Sequence, residues 1–252
     1  MRNAPVALVT GANRGIGFEI AKGLVAAGYA VLIGARSAER ATEAAALLGE
    51  QARGLHLDVT DPESIAASAN HIRADFGRLD VLVQNAAIAA AAGRSFANGE
   101  ALAAAHRPSV VSLAEMREVW DTNVFGVLAV YQAMVPILKD TPGSRIVNVS
   151  SGMGSLTLAS DKSQPVRQFF DAAYSGSKTA LNALTVAMAI ELEPFGIKVN
   201  AVSPGHTRTR LTGFSGTDTP AQGAEEAIRL ALTEADGPTG GFTHALMGTL
   251  PW

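Results

Sequence analysis

The stretch PVALVTGANRGIGFEIAKGLVAAG, residues 5–28, decides how the rest of the chain is read. Pro5–Thr10 is a short, almost unbroken apolar run, which suits a strand buried on both faces of a parallel sheet. From Arg14 the apolar residues recur at helical spacing and stop at Gly28, the expected close of a helix. Between the two lies a turn whose glycines, Gly11, Gly15 and Gly17, follow the spacing GxxxGxG and not GxGxxG. A glycine turn at such a junction lets the backbone approach a pyrophosphate, with the N–H groups and positive end of the helix facing it. No Gly-Lys-Ser/Thr follows, which disfavours a nucleoside-triphosphate loop. A plain tight turn has the same glycines, so the decision passes to the surroundings.

Those surroundings alternate. Strands are expected at 30–36 (AVLIGAR), within 52–61 (ARGLHLDVTD), at 79–87 (LDVLVQNAA), 144–151 (SRIVNVSS) and 197–205 (IKVNAVSPG). Helices are expected at 37–50, 62–77 (Pro62 in its first turn), 113–139 and 174–193. Residues 88–110 are Ala-rich and carry no clear period. Strands separated by helices pair in parallel through right-handed crossovers, so the fold class is α/β, a doubly wound parallel sheet of Rossmann type with helices on both faces. No linker, repeat or low-complexity break interrupts 1–252, which reads as one domain.

Composition narrows the function classes. The chain has 252 residues, 48% of them hydrophobic and 17% charged, with a net charge of −3. That gives no basic footprint for nucleic acid and no polybasic patch for a membrane. The chain has no cysteine, so disulfides, thiolate nucleophiles and Cys-ligated zinc are excluded. The five histidines lack metal-ligand spacing, and no metal is expected. The start MRNAPVALVTGA has too short an apolar run for a signal peptide, and no uninterrupted run approaches a membrane span. The expectation is a soluble, cytoplasmic protein.

The end of the second strand reports on the ligand. Where NAD-preferring enzymes carry an acid for the ribose 2′-hydroxyl, this chain has Gly34-Ala35-Arg36. A carboxylate would repel a 2′-phosphate; Arg36 can bind it, with Arg14 as a second clamp. A charge pair at 4 Å is worth about 4 kcal/mol gross at an effective dielectric of 20. Even heavily discounted, that changes cofactor preference more than tenfold. NADP(H) is the expected cofactor.

Further features join these: TGANRGIG, LDV with Asp58 and Val59, QNAA with Asn85 and Ala86, DTNVFG with Asn123, NVSS with Ser151, and YSGSK with Tyr174 and Lys178. Together, over essentially the whole chain, they resemble the short-chain dehydrogenase/reductase family. The glycine loop, the extra residues before Tyr174, PGHTRT and the closing GPTGGFTHALMGTLPW look most like its carbonyl-reductase-type members. The resemblance implies a cofactor cradle of Gly11, Asn13, Arg14, Gly15, Ile16 and Gly17, with Arg36 at the 2′-phosphate. It places Asp58 and Val59 at the adenine and Asn85 and Ala86 on the adenosine side. Pro204-Gly205 would pass under the nicotinamide, with Thr207 and Thr209 at its carboxamide and the phosphates. Ser151, Tyr174, Lys178 and Asn123 match the family's catalytic tetrad: Ser151 orients the substrate oxygen, Tyr174 is the proton donor, Lys178 also holds the nicotinamide ribose, and Asn123 supports a water. Ser150 is read as structural.

The chemistry agrees. Carbonyl reduction needs a hydride at carbon and a proton on oxygen. A tyrosine titrating near pH 10 is a reluctant acid. Lys178, four residues on and on the same helix face, is expected to favour the phenolate and draw Tyr174 towards neutral pH. The expected activity is NADPH-dependent, reversible reduction of a ketone or aldehyde, with a small and hydrophobic substrate. Reduction of an enone or imine on the same fold, and a non-catalytic NADP(H) sensor, are the alternatives. Serine hydrolysis is disfavoured, because no GxSxG elbow occurs.

Two departures from the family pattern stand out. Gln84-Asn85-Ala86-Ala87 replaces Asn-Asn-Ala-Gly, which is expected to be tolerated because an alanine at Ala87 needs only an ordinary φ. Between Ser151 and Tyr174 lie 22 residues, more than is common in the family. The surplus near LTLASDKSQPVRQFF is expected over the substrate mouth, with 88–110 as a second rim, and a monomer is favoured. Phe96, Met153, Leu156, Phe169, Phe170, His206, Leu211 and Phe214 are candidates for an apolar pocket.

Overall fold

The computed structural model describes residues 4–252; the first three residues of the expected 1–252 unit, with the head of the MRNAPVALVTGA reading, lie outside the described residues. Strand β1 (Val6–Thr10) leads through the glycine turn into α1 (Gly15–Ala26). Then come β2 (Ala30–Ala35), α2 (Ala38–Leu48), β3 (Ala52–His56), α3 (Pro62–Asp75) and β4 (Val81–Gln84). The second half holds α4 (Gly99–Ala105), α5 (Leu113–Trp120), α6 (Gly126–Lys139), β5 (Arg145–Val149), α7 (Leu156–Ser160) and α8 (Tyr174–Leu192). It closes with β6 (Lys198–Val202), α9 (Pro220–Ala231), β7 (Phe242–His244) and β8 (Gly248–Thr249).

The sheet order is β3-β2-β1-β4-β5-β6-β7-β8, parallel through β7, with β8 antiparallel to β7. The chain winds outward from β1 to β3, then crosses back to β4 and winds the other way. That reversal leaves a crevice at the carboxyl ends of β1 and β4, the place where open α/β sheets take ligands. The doubly wound parallel sheet read from the sequence is therefore the fold observed.

Alternation along each strand builds two cores. Leu8, Leu32, Leu82, Ile146 and Val199 face Ile72, Met134, Leu138, Met188 and Leu192 from α3, α6 and α8. Val9, Val31, Ile33, Val83 and Val147 face Ile20 and Leu24 of α1, Ala44 and Ala45 of α2, and Ala224, Ala227 and Leu230 of α9. Each fully buried Leu or Ile contributes about 1.5–3 kcal/mol. Caps fix the helix starts: Ser37 Oγ accepts from Arg40 N, Asp61 Oδ1 from Glu63 N, and Thr219 forms a reciprocal box with Gln222.

Three differences from the sequence reading matter. The helix expected at 113–139 carries a π-helical turn at Asp121–Phe125, between α5 and α6. Leu113–Lys139 is long and apolar enough by composition to cross a membrane; here Val127, Val130, Met134 and Ile137 are buried in the core. The uncharacterised 88–110 segment contains α4, capped by Asn98, whose Oδ1 accepts from Ala101 N at 2.9 Å. Finally, β7 and β8 extend the sheet beyond the six strands expected. Their three and two residues are too short, in a glycine-rich setting, to show a period.

Candidate active site

The glycine loop is held from below by β4. Thr10 Oγ1 accepts the N–H groups of Asn85 (2.9 Å) and Ala86 (3.0 Å). The Asn85 amide donates to Thr10 O (2.9 Å) and Gly11 O (3.2 Å), so both of its hydrogens are spent on the loop. Gly11 and Gly15 take positive φ, 63° and 60°. Gly17 is needed for clearance, since a Cβ there would lie 2.7 Å from Gly11 O and against the Asn85 amide. Asn13, Arg14 and Ile16 complete the turn, Ile16 packing onto the core. Asp58 and Val59 follow β3. Asp58 Oδ1 accepts from Thr60 N (2.9 Å) and Thr60 Oγ1 (2.7 Å), while Val59 is buried with its carbonyl against Gly126. Ala87 has no positive φ, because among the described residues only Phe214 does so without being glycine.

Arg36 stands exposed just past β2. Burial of Arg14 lowers its guanidinium from the ordinary arginine value, and the neighbouring charges of Arg210, Arg40 and Arg36 lower it further. Four cations thus crowd one mouth of the crevice. The sequence reading named Arg14 and Arg36 but missed Arg40 and Arg210. Arg40, four residues past Arg36, was visible as a cation in the first turn of α2; Arg210 comes from a distant loop and left no signal.

Ser151 and Tyr174 are brought together across the insertion: Ser151 follows β5, Tyr174 opens α8, and the Ser151 hydroxyl is near enough to the phenol to act on its titration. Ser151 Oγ also accepts from Met153 N at 3.2 Å. Burial pushes the Tyr174 phenol up to about 12; the neighbouring Ser151 hydroxyl pulls it back, and the Asp171 charge pushes it further up. Burial lowers the Lys178 ammonium to about 8. Lys178 Nζ donates to Val149 O at 2.9 Å and lies 5.8 Å from the Tyr174 ring centre. The expectation that Lys178 draws Tyr174 towards neutral is corrected here. Desolvation of the phenol outweighs the rest, and the ammonium is turned onto a backbone carbonyl.

Asn123 sits in the π-turn, fully buried. Its Oδ1 accepts from Ile88 N (2.9 Å), and its Nδ2 donates to Ile88 O (2.8 Å) and Ser177 Oγ (3.0 Å). It therefore pins the segment after β4 to α8. Ser150 Oγ donates to Asn182 Oδ1 at 2.6 Å, the structural role expected of it.

Asp171 is a residue the sequence reading missed. It is buried, and its Oδ1 accepts the Tyr174 N–H at 2.8 Å. Lying ahead of the N-cap, Ala173, it falls outside the position where a capping residue is sought, so no local signal marked it.

On the far side of the crevice, Pro204 O accepts from Thr207 Oγ1 (2.9 Å), so Thr207 braces its own loop. Thr209 packs over the glycine loop, 3.6 Å from where a Gly15 Cβ would be. Gly205 has φ 76° and stands against Asp218 and His244. The insertion forms α7 and a 3-10 turn at Pro165–Phe169, and Phe169 lies 3.5 Å from where a Gly99 Cβ would sit, so the two expected rims touch. Phe96, Met153, Phe169 and Phe170 are half-buried along this rim, while Leu156, Leu211 and Phe214 are exposed and His206 is at the surface.

Comparison with known proteins identifies the family. The family model described as short chain dehydrogenase matches residues 5–219. Salutaridine reductase of Papaver bracteatum is 33% identical over 292 residues, covering 94% of this chain and 93% of that protein. Among solved structures, 3-ketoacyl-(acyl-carrier-protein) reductase from Brucella melitensis complexed with NADH has a TM-score of 0.77 at 25% identity, covering 97% of this chain and 98% of that one. The Pseudomonas aeruginosa RhlG/NADP active-site complex has a TM-score of 0.77 at 28% identity, covering 96% and 95%. The chain belongs to the short-chain dehydrogenase/reductase family, oxidoreductases that work with a nicotinamide cofactor.

Proposed function

We propose that the chain reduces a ketone or aldehyde to the alcohol, reversibly, with NADPH as reductant and Tyr174 as proton donor. The observation that carries this reading is the juxtaposition of the Ser151 and buried Tyr174 hydroxyls beyond the carboxyl end of β5, with buried Lys178 one helical turn along α8. A carbonyl oxygen held there meets two O–H donors where its negative charge develops.

The residues fit a dinucleotide phosphate. Gly11 and Gly15, with positive φ, form the tight turn that leads into the N-terminus of α1, and Arg14, Arg36, Arg40 and Arg210 concentrate positive charge beside it. Arg36 and Arg14 are read as the 2′-phosphate contacts, with Pro204, Gly205, Thr207 and Thr209 on the nicotinamide side. Bound NADPH supplies the hydride for the carbonyl carbon. Ser151 Oγ orients the carbonyl oxygen, and Tyr174 passes its proton to it. A phenol raised to about 12 stays protonated through the neutral range, yet an alkoxide is more basic still, so the transfer runs downhill in the direction of reduction. Lys178, buried beside the ring, is read as the contact to the nicotinamide ribose, and Asn123 fixes Ile88 and Ser177 around it. The half-buried Phe169, Phe170 and Met153 favour an apolar substrate.

The test is loss of NADPH absorbance across aldehydes, ketones, enones and cyclic imines. Turnover of ketones or aldehydes, abolished in Tyr174→Phe, supports the reading. Ketone turnover retained in that variant removes Tyr174 as donor, and activity confined to enones or imines replaces the substrate class.

A further inference from the structure

A buried ionic chain, unused by the chemistry above, runs from the rim to the catalytic helix. The Arg94 guanidinium pairs with Glu115 Oε2. Glu115 Oε1 lies 3.0 Å from His106 Nε2, and His106 Nδ1 stands 3.4 Å from Asp171 Oδ1. Asp171 in turn accepts from Tyr174 N at 2.8 Å, and its Oδ2 accepts from Ser175 Oγ at 3.0 Å and Ser175 N at 3.4 Å. His106, Glu115 and Asp171 are 0%, 4% and 2% exposed.

Burying two carboxylates costs several kcal/mol per ion unless cations meet them. The charged groups facing the imidazole are Glu115 from α5 and Asp171 ahead of α8, with Arg94 behind Glu115. Nδ1 makes no aligned hydrogen bond and stands against Asp171 Oδ1 at 3.4 Å. The ring is sealed by the Phe96 edge at 5.6 Å, with Arg94 stacked 5.0 Å from the Phe96 centre. The backbone repeats the link: Ala172 N donates to His106 O at 3.1 Å.

We propose that His106 is a positioning residue for the Tyr174 hydroxyl: it couples the 88–112 rim to Asp171 and so fixes the first turn of α8, from which Tyr174 projects. A histidine serving only to fill the core would have no need of a carboxylate on each side, nor of one whose other bonds end on the Tyr174 and Ser175 amides. The kinetic half of the proposal rests on the reductase reading; the structural half does not.

The experiment compares wild type with His106→Gln and with Arg94→Gln, which changes the half-exposed outer end of the chain. It measures amide hydrogen exchange of the cofactor-free protein, NADPH affinity by fluorescence, melting temperature and steady-state ketone reduction. In His106→Gln the Tyr174 and Ser175 amides should exchange faster while β1 and β2 do not. The kcat should fall about 10- to 100-fold, as for a catalytic group displaced by an ångström. The KM and the NADPH affinity should move less than about threefold, since substrate binding is not what is lost. Arg94→Gln should change the same quantities in the same direction by less, and it decides the matter if His106→Gln does not fold. Unchanged kcat, or faster exchange spread evenly along the chain with a lower melting temperature, overturns the proposal. Selective exchange at Tyr174 and Ser175 in a protein whose wild type reduces no carbonyl overturns the reductase reading and keeps the coupling.

Discussion

Gly17 and Asn85 meet with no room for a methyl group between them, because the Asn85 amide that pins Thr10 and Gly11 stands where a Gly17 Cβ would be. The Gly11 carbonyl closes the same space from the backbone side. Gly17→Ala should therefore cost about 1–3 kcal/mol of stability, the usual penalty of overpacking. It should also weaken NADPH binding, seen by melting and by fluorescence titration. Adding Asn85→Ala should give a double variant less destabilised than the sum of the two changes, since the residues share one space. Full additivity would mean that the clash lies entirely with the Gly11 carbonyl.

The raised phenol makes the two reaction directions respond differently to pH. Reduction needs protonated Tyr174, which a value of about 12 secures throughout the neutral range. Alcohol oxidation needs the phenolate, which that same value makes scarce. The initial rate of oxidation should climb steadily from neutral pH into the alkaline range, while reduction stays comparatively flat up to the same point. An oxidation rate that levels off near neutrality would assign the titrating group elsewhere. Ser151→Ala, which removes the hydroxyl that lowers the phenol, should move the oxidation limb to higher pH.

Lys178 should cost the fold stability at the pH where it serves function. Its folded value, about 8, lies below the ordinary 10.5, so the unfolded chain binds the proton more tightly. Its favourable contribution is present above 10.5 and is lost as pH falls through 8. Lys178→Met should therefore gain on wild type in stability as pH falls from alkaline to acid, by up to about 3 kcal/mol before the lost bond to Val149 O is counted. Denaturant unfolding at the two extremes measures this, and turnover should be absent at both. A constant difference between variant and wild type would mean that the ammonium is better solvated than its burial suggests.

Arg36→Ala should raise the KM for NADPH about tenfold and leave that for NADH within about twofold, as expected for one exposed charge facing a phosphate. Equal effects on both would separate Arg36 from the phosphate and leave Arg14, Arg40 or Arg210 to read it.

The glycine loop and the six central strands were legible in the sequence because each rests on a short-range pattern, apolar runs and glycines at a turn, whereas Ser151 and Asn123 beside Tyr174 were named only through the resemblance to the family. What the sequence hid is of another kind. Arg210 and Arg14 lie almost two hundred positions apart and meet only because the 206–218 loop folds over the glycine turn. The direction of the Tyr174 shift was misread because spacing places Lys178 beside the ring but says nothing of the solvent the phenol has lost. Strand β7 pairs with β6 through two residues, Phe242 and Thr243, fewer than an alternation needs to declare itself.

The π-turn at Asp121–Phe125 has a consequence for how this chain tolerates changes of length. A π-turn holds one residue more than the α-helix it interrupts, and closing it by deletion would restore an unbroken helix. Each residue of an α-helix turns the chain through about 100°, so Asn123 and the apolar face of α6 cannot both keep their register once a residue is removed there. Val130, Met134 and Ile137 anchor that face in the sheet's core, and Asn123 would be the partner to swing away from Ile88 and Ser177. Single-residue deletions between 121 and 125 should thus yield a folded protein with its asparagine misdirected, whereas a deletion in the middle of α6 should leave no folded protein at all.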